Sequence, residues 1–174
     1  MPVQTMTLFF ALLAMLCLGL IAVVVVSWLF DRTDRWGIRA WLRPLAVPAA
    51  AAVAVTSTLG SLYLSEVAHF PPCQNCWIQR GFMYPAALVL VAASITRRRG
   101  LVILGGALAV GGLPVSIYHR YEQITGSTGF CDLDNPCSTV WVREFGFMTI
   151  PTMAGIGFLT IIVLTAVYLT GRRP

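Results

Sequence analysis

Long apolar blocks alternate with short polar segments along the whole chain. Each block is long enough, at about 1.5 Å of rise per helical residue, to cross most or all of a bilayer core of about 30 Å. Backbone groups inside a bilayer must be paired within the protein, which a helix achieves within each block. The pattern therefore predicts an all-α integral membrane protein with five spans, at about residues 7–30, 45–64, 79–96, 100–118 and 147–170.

The first apolar block could be mistaken for a secretory signal peptide. The residues before it carry no basic side chain, and no small-x-small cleavage site follows it. Signal peptides normally have both features. We therefore expect a retained transmembrane helix. Cys17 lies in the middle of this span, and we expect it to be a small apolar packing residue.

The composition agrees with a membrane protein. Of the 174 residues, 57% are hydrophobic and only 11% are charged, and the mean hydropathy is +0.79. A soluble domain of this size could not bury so much apolar surface. The net charge of +5 would suit nucleic acid, but the arginines are clustered in short loops between the apolar blocks. That clustering follows the positive-inside rule, so we expect no nucleic-acid partner.

The arginine clusters also predict how the spans are oriented. Arg-rich loops remain on the cytoplasmic side of the membrane. This places the N-terminus outside, the C-terminus inside and all four loop cysteines on the outer face. The clusters are Arg32, Arg35, Arg39 and Arg43 before the second block, Arg97, Arg98 and Arg99 after the third, and Arg172 and Arg173 after the fifth.

The first cysteine pair stands where a polar loop meets the third apolar block. Pro72 suits the first position of a helix, where its missing N–H costs nothing, so Cys73 and Cys76 would lie in the first turn. The positive end of the helix dipole lowers the pKa of a thiol, and the thiolate is the nucleophile. Arg80 follows Cys76 by four residues and falls on the same helix face.

The second cysteine pair lies in the longest polar loop, residues 121–146. Cys131 and Cys137 stand among turn-forming glycine, aspartate, asparagine and proline residues, which favour a mobile loop over a packed domain. We expect Glu122 to be a solvated loop carboxylate. The stretch 140–147 mixes aromatic and charged residues, and we expect it to lie flat in the membrane interface.

Four loop cysteines on one face allow three interpretations. They could form two structural disulfides, although a C-x-x-C bridge closes a very small loop and gains little from chain entropy. They could bind zinc, although an oxidising outer face disfavours retained thiolates. They could instead be two redox-active pairs that exchange electrons, one fixed at a helix start and one on a loop that swings.

Three motifs, taken in this order along the chain, are more specific than C-x-x-C alone. They are Pro72-Cys73-x-x-Cys76-Trp77-x-Gln79-Arg80 followed by Met83-Tyr84-Pro85, then Ser116-Ile117-Tyr118-His119 with Glu122, and then Phe145-Gly146-Phe147-Met148-Thr149-Ile150-Pro151.

Over about residues 45–170, these motifs resemble the DsbB/BdbC family of disulfide bond formation proteins. The five-residue gap between Cys131 and Cys137 resembles the shorter, BdbC-like branch. The resemblance implies a four-helix redox domain at residues 45–174, preceded at residues 1–44 by one additional transmembrane helix and its Arg-rich loop.

The resemblance also implies an activity. Such a protein lies in the bacterial cytoplasmic (inner) membrane, reoxidises a soluble thioredoxin-fold thiol oxidase similar to DsbA or BdbD, and passes the electrons to a membrane quinone, either ubiquinone or menaquinone. By position, the reduced partner attacks Cys131, and the freed Cys137 then attacks Cys73. Cys76 becomes the thiolate that faces the quinone.

The resemblance places Arg80 beside that thiolate and His119 near the quinone ring, and it implies no metal ligand. An arginine near Cys76 would favour both the thiolate and negative charge developing on the quinone. Two alternatives stay open. A vitamin-K-epoxide-reductase-like enzyme normally has its quinone-side C-x-x-C after the loop pair, whereas here it comes first. A non-enzymatic membrane protein would hold structural disulfides or zinc.

Overall fold

The computed structural model describes residues 3–31, 33–127, 129, 131 and 136–170. Within these residues the chain has five α-helices and no strand, and each α-helix is long and apolar enough to cross a membrane. This confirms the predicted fold class. Arg32, Arg172 and Arg173 of the predicted cytoplasmic clusters lie outside the described residues. The helices are α1 Val3–Phe30, α2 Ile38–Leu62, α3 Gln74–Thr96, α4 Arg99–Thr125 and α5 Ile150–Thr170.

Several helices extend beyond the apolar blocks that predict them. α2 begins at Ile38 and contains Pro44 and Pro48, so the predicted division between residues 44 and 45 falls inside a helix. α4 continues past Tyr118 to Thr125. Hydropathy detects only the part of a helix that is apolar enough for lipid. The helical hydrogen bonds continue into a polar end where that end packs against other parts of the protein.

Four of the helices form a bundle in which α2, α3, α4 and α5 pack in a ring. Glycines on α4 let its backbone approach α5 closely. A Cβ atom added at Gly112 would lie 2.3 Å from Cζ of Phe158, and one added at Gly106 would lie 2.7 Å from Cγ2 of Thr165. The core between α4 and α5 is therefore too tight for larger side chains on α4.

α1 lies outside this ring. It packs mainly on α5 and less closely on α2. Its buried apolar residues form one stripe along the helix, whereas most of its remaining apolar side chains are exposed. The stripe comprises Ala11, Ala14, Ile21 and Val24. One additional helix on the outside of a four-helix bundle is the arrangement that the sequence predicts.

All the segments that carry the loop cysteines meet at one end of the bundle, which we call the cysteine end. There, α2 passes into a π-helix at Tyr63–Val67, and a short extended segment leads to α3. The stretch 140–147 forms no helix. Its last residues make a tight turn in which Glu144 and Met148 exchange two backbone hydrogen bonds of 2.9 Å.

Candidate functional site

Cys73 and Cys76 stand at the start of α3. Cys73 is the N-cap residue, with φ −74° and ψ 174°, and α3 begins at Gln74. The sequence suggested that Pro72 occupies the first helical position. In the structure Pro72 instead precedes the cap residue. The two sulfurs are 3.2 Å apart and both are free thiols. This distance is a hydrogen-bonding one, so the structure holds this pair as a dithiol.

The environment of Cys73 favours its thiolate. The hydrogen bond with the Cys76 thiol is the main cause that lowers the pKa of Cys73, and it outweighs burial, which raises the pKa. A hydrogen bond and charge interaction with His119 lower the pKa further. The thiol at the helix N-cap is thus the more acidic member of the reduced pair, in keeping with the dipole at a helix start.

The second pair forms a disulfide between Cys131 and Cys137, with Cα atoms 5.8 Å apart. Cys131 is 8% exposed and Cys137 is 1% exposed. Both pack against Cys73, with Cys76 at the edge of the same cluster. The structure therefore brings all four predicted cysteines together, and it buries the loop pair that the sequence suggested would be mobile.

His119 lies between the two pairs. It is 2% exposed, and its Nε2 atom is 3.7 Å from the sulfur of Cys73 and 3.1 Å from the backbone oxygen of Cys137. The Gln79 side-chain amide donates to Nδ1 at 3.3 Å. Nδ1 is then an acceptor, which leaves the imidazole proton on Nε2, directed toward the cysteines.

Arg80 is held against α2 at the same end of the bundle. Its Nε donates to the Ser61 hydroxyl and its Nη2 donates to the Ser61 carbonyl, both at 2.9 Å. The guanidinium also stacks 5.0 Å from the ring centre of Trp77. Arg80 is 9% exposed. Among the described residues the ion pair found is the one between Arg39 and Asp34, at the opposite end, so a buried cation stands here without a carboxylate partner.

Cys76 and Arg80 line one cavity of about 440 Å³. α1, α2, α3 and α5 form its walls, which are mostly apolar. Phe70 and Trp141 also line it and stack on one another, with ring centres 5.3 Å apart. Arg80 is the charged side chain among the described residues that line it. His119 does not line this cavity, because it lies behind Cys73 on the side of the loop disulfide.

The comparisons with known proteins agree on one family. The family model described as "Disulfide bond formation protein DsbB" matches residues 43–168. The chain belongs to the DsbB family. It is 42% identical over 117 residues to disulfide bond formation protein C of Bacillus subtilis, which covers 64% of this chain and 83% of that protein.

Two further relatives have similar names. A probable disulfide formation protein of Oceanobacillus iheyensis is 40% identical over 109 residues, which are 60% of this chain and 75% of that protein. Probable disulfide formation protein C 1 of Bacillus anthracis is 37% identical over 119 residues, which are 67% of this chain and 86% of that protein. No solved structure matches the chain significantly.

Membership of the DsbB family narrows the interpretations of the cysteines. The family is named for disulfide bond formation, so this chain is a disulfide bond formation protein, consistent with an oxidoreductase. The vitamin-K-epoxide-reductase-like alternative finds no support. The zinc site with four cysteine ligands is not what the structure holds, because Cys131 and Cys137 are bonded to one another.

Glu122 is a feature of this DsbB-family site that the sequence interpretation missed. It is 0% exposed, whereas the sequence suggested a solvated loop carboxylate. Asn75 donates to its Oε2 atom at 2.5 Å, and its carboxylate lies within 4.8 Å of the sulfurs of Cys131 and Cys137. The spacing of three residues from His119 would have placed both on one helix face, had α4 been extended past Tyr118.

Proposed function

We propose that this protein is a thiol–quinone oxidoreductase, which reoxidises a soluble thioredoxin-fold thiol oxidase similar to DsbA or BdbD and passes the electrons to a membrane quinone. One observation carries the proposal. The two cysteine pairs form a single buried cluster, and the second cysteine of the C-x-x-C pair opens into an apolar cavity beside an arginine with no carboxylate partner among the described residues.

The outer disulfide receives the electrons first. A thiolate of the reduced partner attacks the sulfur of Cys131, so the bond to Cys137 breaks, a mixed disulfide forms and Cys137 leaves as a thiolate. The partner's second thiol then displaces Cys131 and completes the partner's own disulfide. Because Cys131 is almost completely buried, we expect the loop segment to move aside when the partner docks.

The electrons then pass to the inner pair. The thiolate of Cys137 attacks the sulfur of Cys73 in an inner disulfide, and Cys76 leaves as a thiolate. Cys131 next attacks Cys137, which re-forms the outer disulfide and leaves Cys73 and Cys76 both reduced. An outer disulfide with an inner dithiol would be the state in which the electrons await their acceptor.

The cavity fits a lipid-soluble quinone as that acceptor. A cavity of a few hundred Å³ with apolar walls and a few polar groups suits a small apolar ligand. A bound quinone, ubiquinone or menaquinone, accepts two electrons and two protons. Arg80 is held by hydrogen bonds to the hydroxyl and carbonyl oxygens of Ser61. From there it would stabilise the Cys76 thiolate and the negative charge that develops on the quinone.

His119 is not among the residues that line the cavity in which we place the quinone ring. Its contact with the quinone stays a prediction. The hydrogen bonds support a role on the thiol side, because Nε2 faces both Cys73 and the backbone of Cys137. There the imidazole would stabilise the Cys73 thiolate as it leaves. It would also hold the two cysteine pairs close enough for thiol–disulfide exchange.

The proposal includes the setting of the reaction. A bacterial cytoplasmic membrane with the cysteine end outside would place the cluster where a soluble extracytoplasmic partner meets it. The described arginines Arg97, Arg98 and Arg99 lie at the opposite end of the bundle, as the positive-inside rule requires of a cytoplasmic face. By the same rule, the N-terminus of α1 would be outside.

The test is turnover by the purified full chain, with reduced thioredoxin-fold oxidase as donor and quinone as acceptor. We expect quinol formation in step with partner oxidation, and its loss in Cys76→Ser. Ser94→Ala, on α3 at the opposite end, is the matched control and should retain turnover. Unchanged quinol formation in Cys76→Ser would show that the assigned roles are wrong.

A further inference from the structure

We propose that α1 forms one wall of the acceptor site, so that the polyprenyl tail of the quinone lies between α1 and the bundle. This inference rests on the proposed function, and it gives a role to a helix that precedes the residues matched by the family model, 43–168. It concerns the tail rather than the ring, because the ring would lie at Cys76 and Arg80.

The first observation is the face that α1 turns toward the cavity. The lining residues on this face recur at helical spacing of three and four. They are Phe10, Leu13, Ala14, Cys17 and Leu20, and Thr7 and the largely exposed Leu16 of α1 also line the cavity. At about 1.5 Å per residue, the stretch from Phe10 to Leu20 is roughly 15 Å long. α1 therefore contributes a long apolar wall, rather than a single contact at the mouth.

The second observation is the shape of the opposite wall. α2 lines the same cavity from Ala52 to Ser61, which is roughly 14 Å of helix. The charged side chain, Arg80, lies at the cysteine end, and the far end is lined by side chains such as Leu20 and Val53. A slot that is polar at one end and apolar along its length fits a ring with an isoprenoid tail better than it fits a compact molecule.

The third observation is that α1 is docked on both sides of the slot. The Phe10 ring packs on Gly60 of α2, where an added Cβ would lie 3.0 Å from the ring edge. The Thr7 hydroxyl donates to the Glu144 carboxylate at 2.8 Å, and Cys17 packs against the main core, to which α5 contributes Ile156, Phe158 and Ile161. Without α1, the slot between α2 and α5 would be open to lipid.

The first experiment compares two quinones on two variants. Cys17→Phe places a large ring in the slot, and Ala22→Phe makes the same kind of change at an exposed position on the same helix. We expect Cys17→Phe to raise KM for a long-tailed quinone by about tenfold, while KM for the tail-less analogue stays within about twofold. Ala22→Phe should change neither. Equal KM changes for the two quinones in Cys17→Phe would overturn the inference.

The second experiment uses the unchanged chain, so its result does not depend on whether a variant folds. Cys17 of the unchanged chain is alkylated with a membrane-soluble maleimide, and its labelling is followed by peptide mass spectrometry. A long-tailed quinone with a fully substituted ring should slow this labelling several-fold, whereas the tail-less analogue should not. Equal labelling rates with both quinones would show that the tail lies elsewhere.

The two proposals fail differently. If the unchanged chain reduces neither quinone, the proposed function is wrong. If it reduces both, but Cys17→Phe and the labelling of Cys17 do not distinguish them, the proposed function stands and the role of α1 is wrong.

Discussion

Arg80 has an unusual environment for a charged side chain in a transmembrane helix, because it is almost completely buried. A buried arginine inside an apolar span is costly unless its donors are paired. Here two of its nitrogens are bonded to Ser61, but its charge has no carboxylate partner among the described residues. In the proposed function, this charge near Cys76 would stabilise the negative charge that develops there.

We expect Arg80→Gln to lower kcat/KM for quinone by about a hundredfold, the usual effect of removing one group that stabilises developing charge. Arg80→Lys should recover only part of this loss, because lysine cannot reproduce both bonds to Ser61. Arg98→Gln, at the opposite end of the bundle, is the control. Steady-state kinetics with variable quinone would measure the effect, and equal values for Arg80→Gln and the control would contradict the assigned role.

The reactivity of Cys73 should depend on pH in a defined direction. The Cys76 hydrogen bond and His119 hold the pKa of Cys73 below its ordinary value, so the thiolate persists at neutral pH and is lost only as the pH falls through that lowered pKa. His119→Phe removes one of the groups that lower the pKa of Cys73. The midpoint of the Cys73 titration should therefore move to higher pH. Alkylation of Cys73 by iodoacetamide across pH, quantified by peptide mass spectrometry, would measure this midpoint.

The control for that shift is the chain's other histidine. His69 is exposed, outside the buried cysteine cluster, so His69→Asn should leave the Cys73 midpoint unchanged. A midpoint in His119→Phe equal to that of the unchanged chain would mean that the imidazole does not act on Cys73.

At the scale of elements, the contact of α4 with α5 fixes the end of α4 that carries His119 and Glu122. Glycines allow this contact, because their missing side chains let the helices approach. Gly112 meets the ring of Phe158, whereas Gly81 on α3 has no atom within 4 Å of an added Cβ. The same substitution should therefore destabilise the protein at Gly112 but not at Gly81.

We expect Gly112→Ala to destabilise the protein by about 1–3 kcal/mol, the usual cost of overpacking a core. Gly81→Ala should be neutral or stabilising by up to about 1 kcal/mol, because alanine is the better helix former. Thermal unfolding in detergent, followed by circular dichroism, would compare the two. A melting temperature for Gly112→Ala equal to or above that of Gly81→Ala would show that α4 is packed differently.

At the scale of the whole molecule, the sequence predicted the five spans and the meeting of four cysteines at one end. These follow from hydropathy and loop position alone. The burial of Glu122, the position of His119 behind Cys73 and the burial of the outer disulfide were not predicted. Each depends on how far α4 continues beyond its apolar block and on what the loop then packs against, which no local pattern reports.

The docking of α1 was also beyond the sequence pattern. Hydropathy predicts that α1 crosses the membrane, but its residues are apolar all round, so no polar face indicates which side contacts the bundle. The cavity wall that it forms depends on the position of Phe10 against Gly60, which only the assembled helices define.

The most direct test of the relay is a disulfide between the two pairs. In a chain carrying both Cys76→Ser and Cys131→Ser, the remaining members of the cluster are Cys73 and Cys137, which the structure packs together. We predict that mild oxidation joins them within one chain, seen as a cross-linked peptide by mass spectrometry without reduction. If Cys73 and Cys137 remain free thiols under conditions that oxidise both native pairs, electrons do not pass between the pairs as proposed.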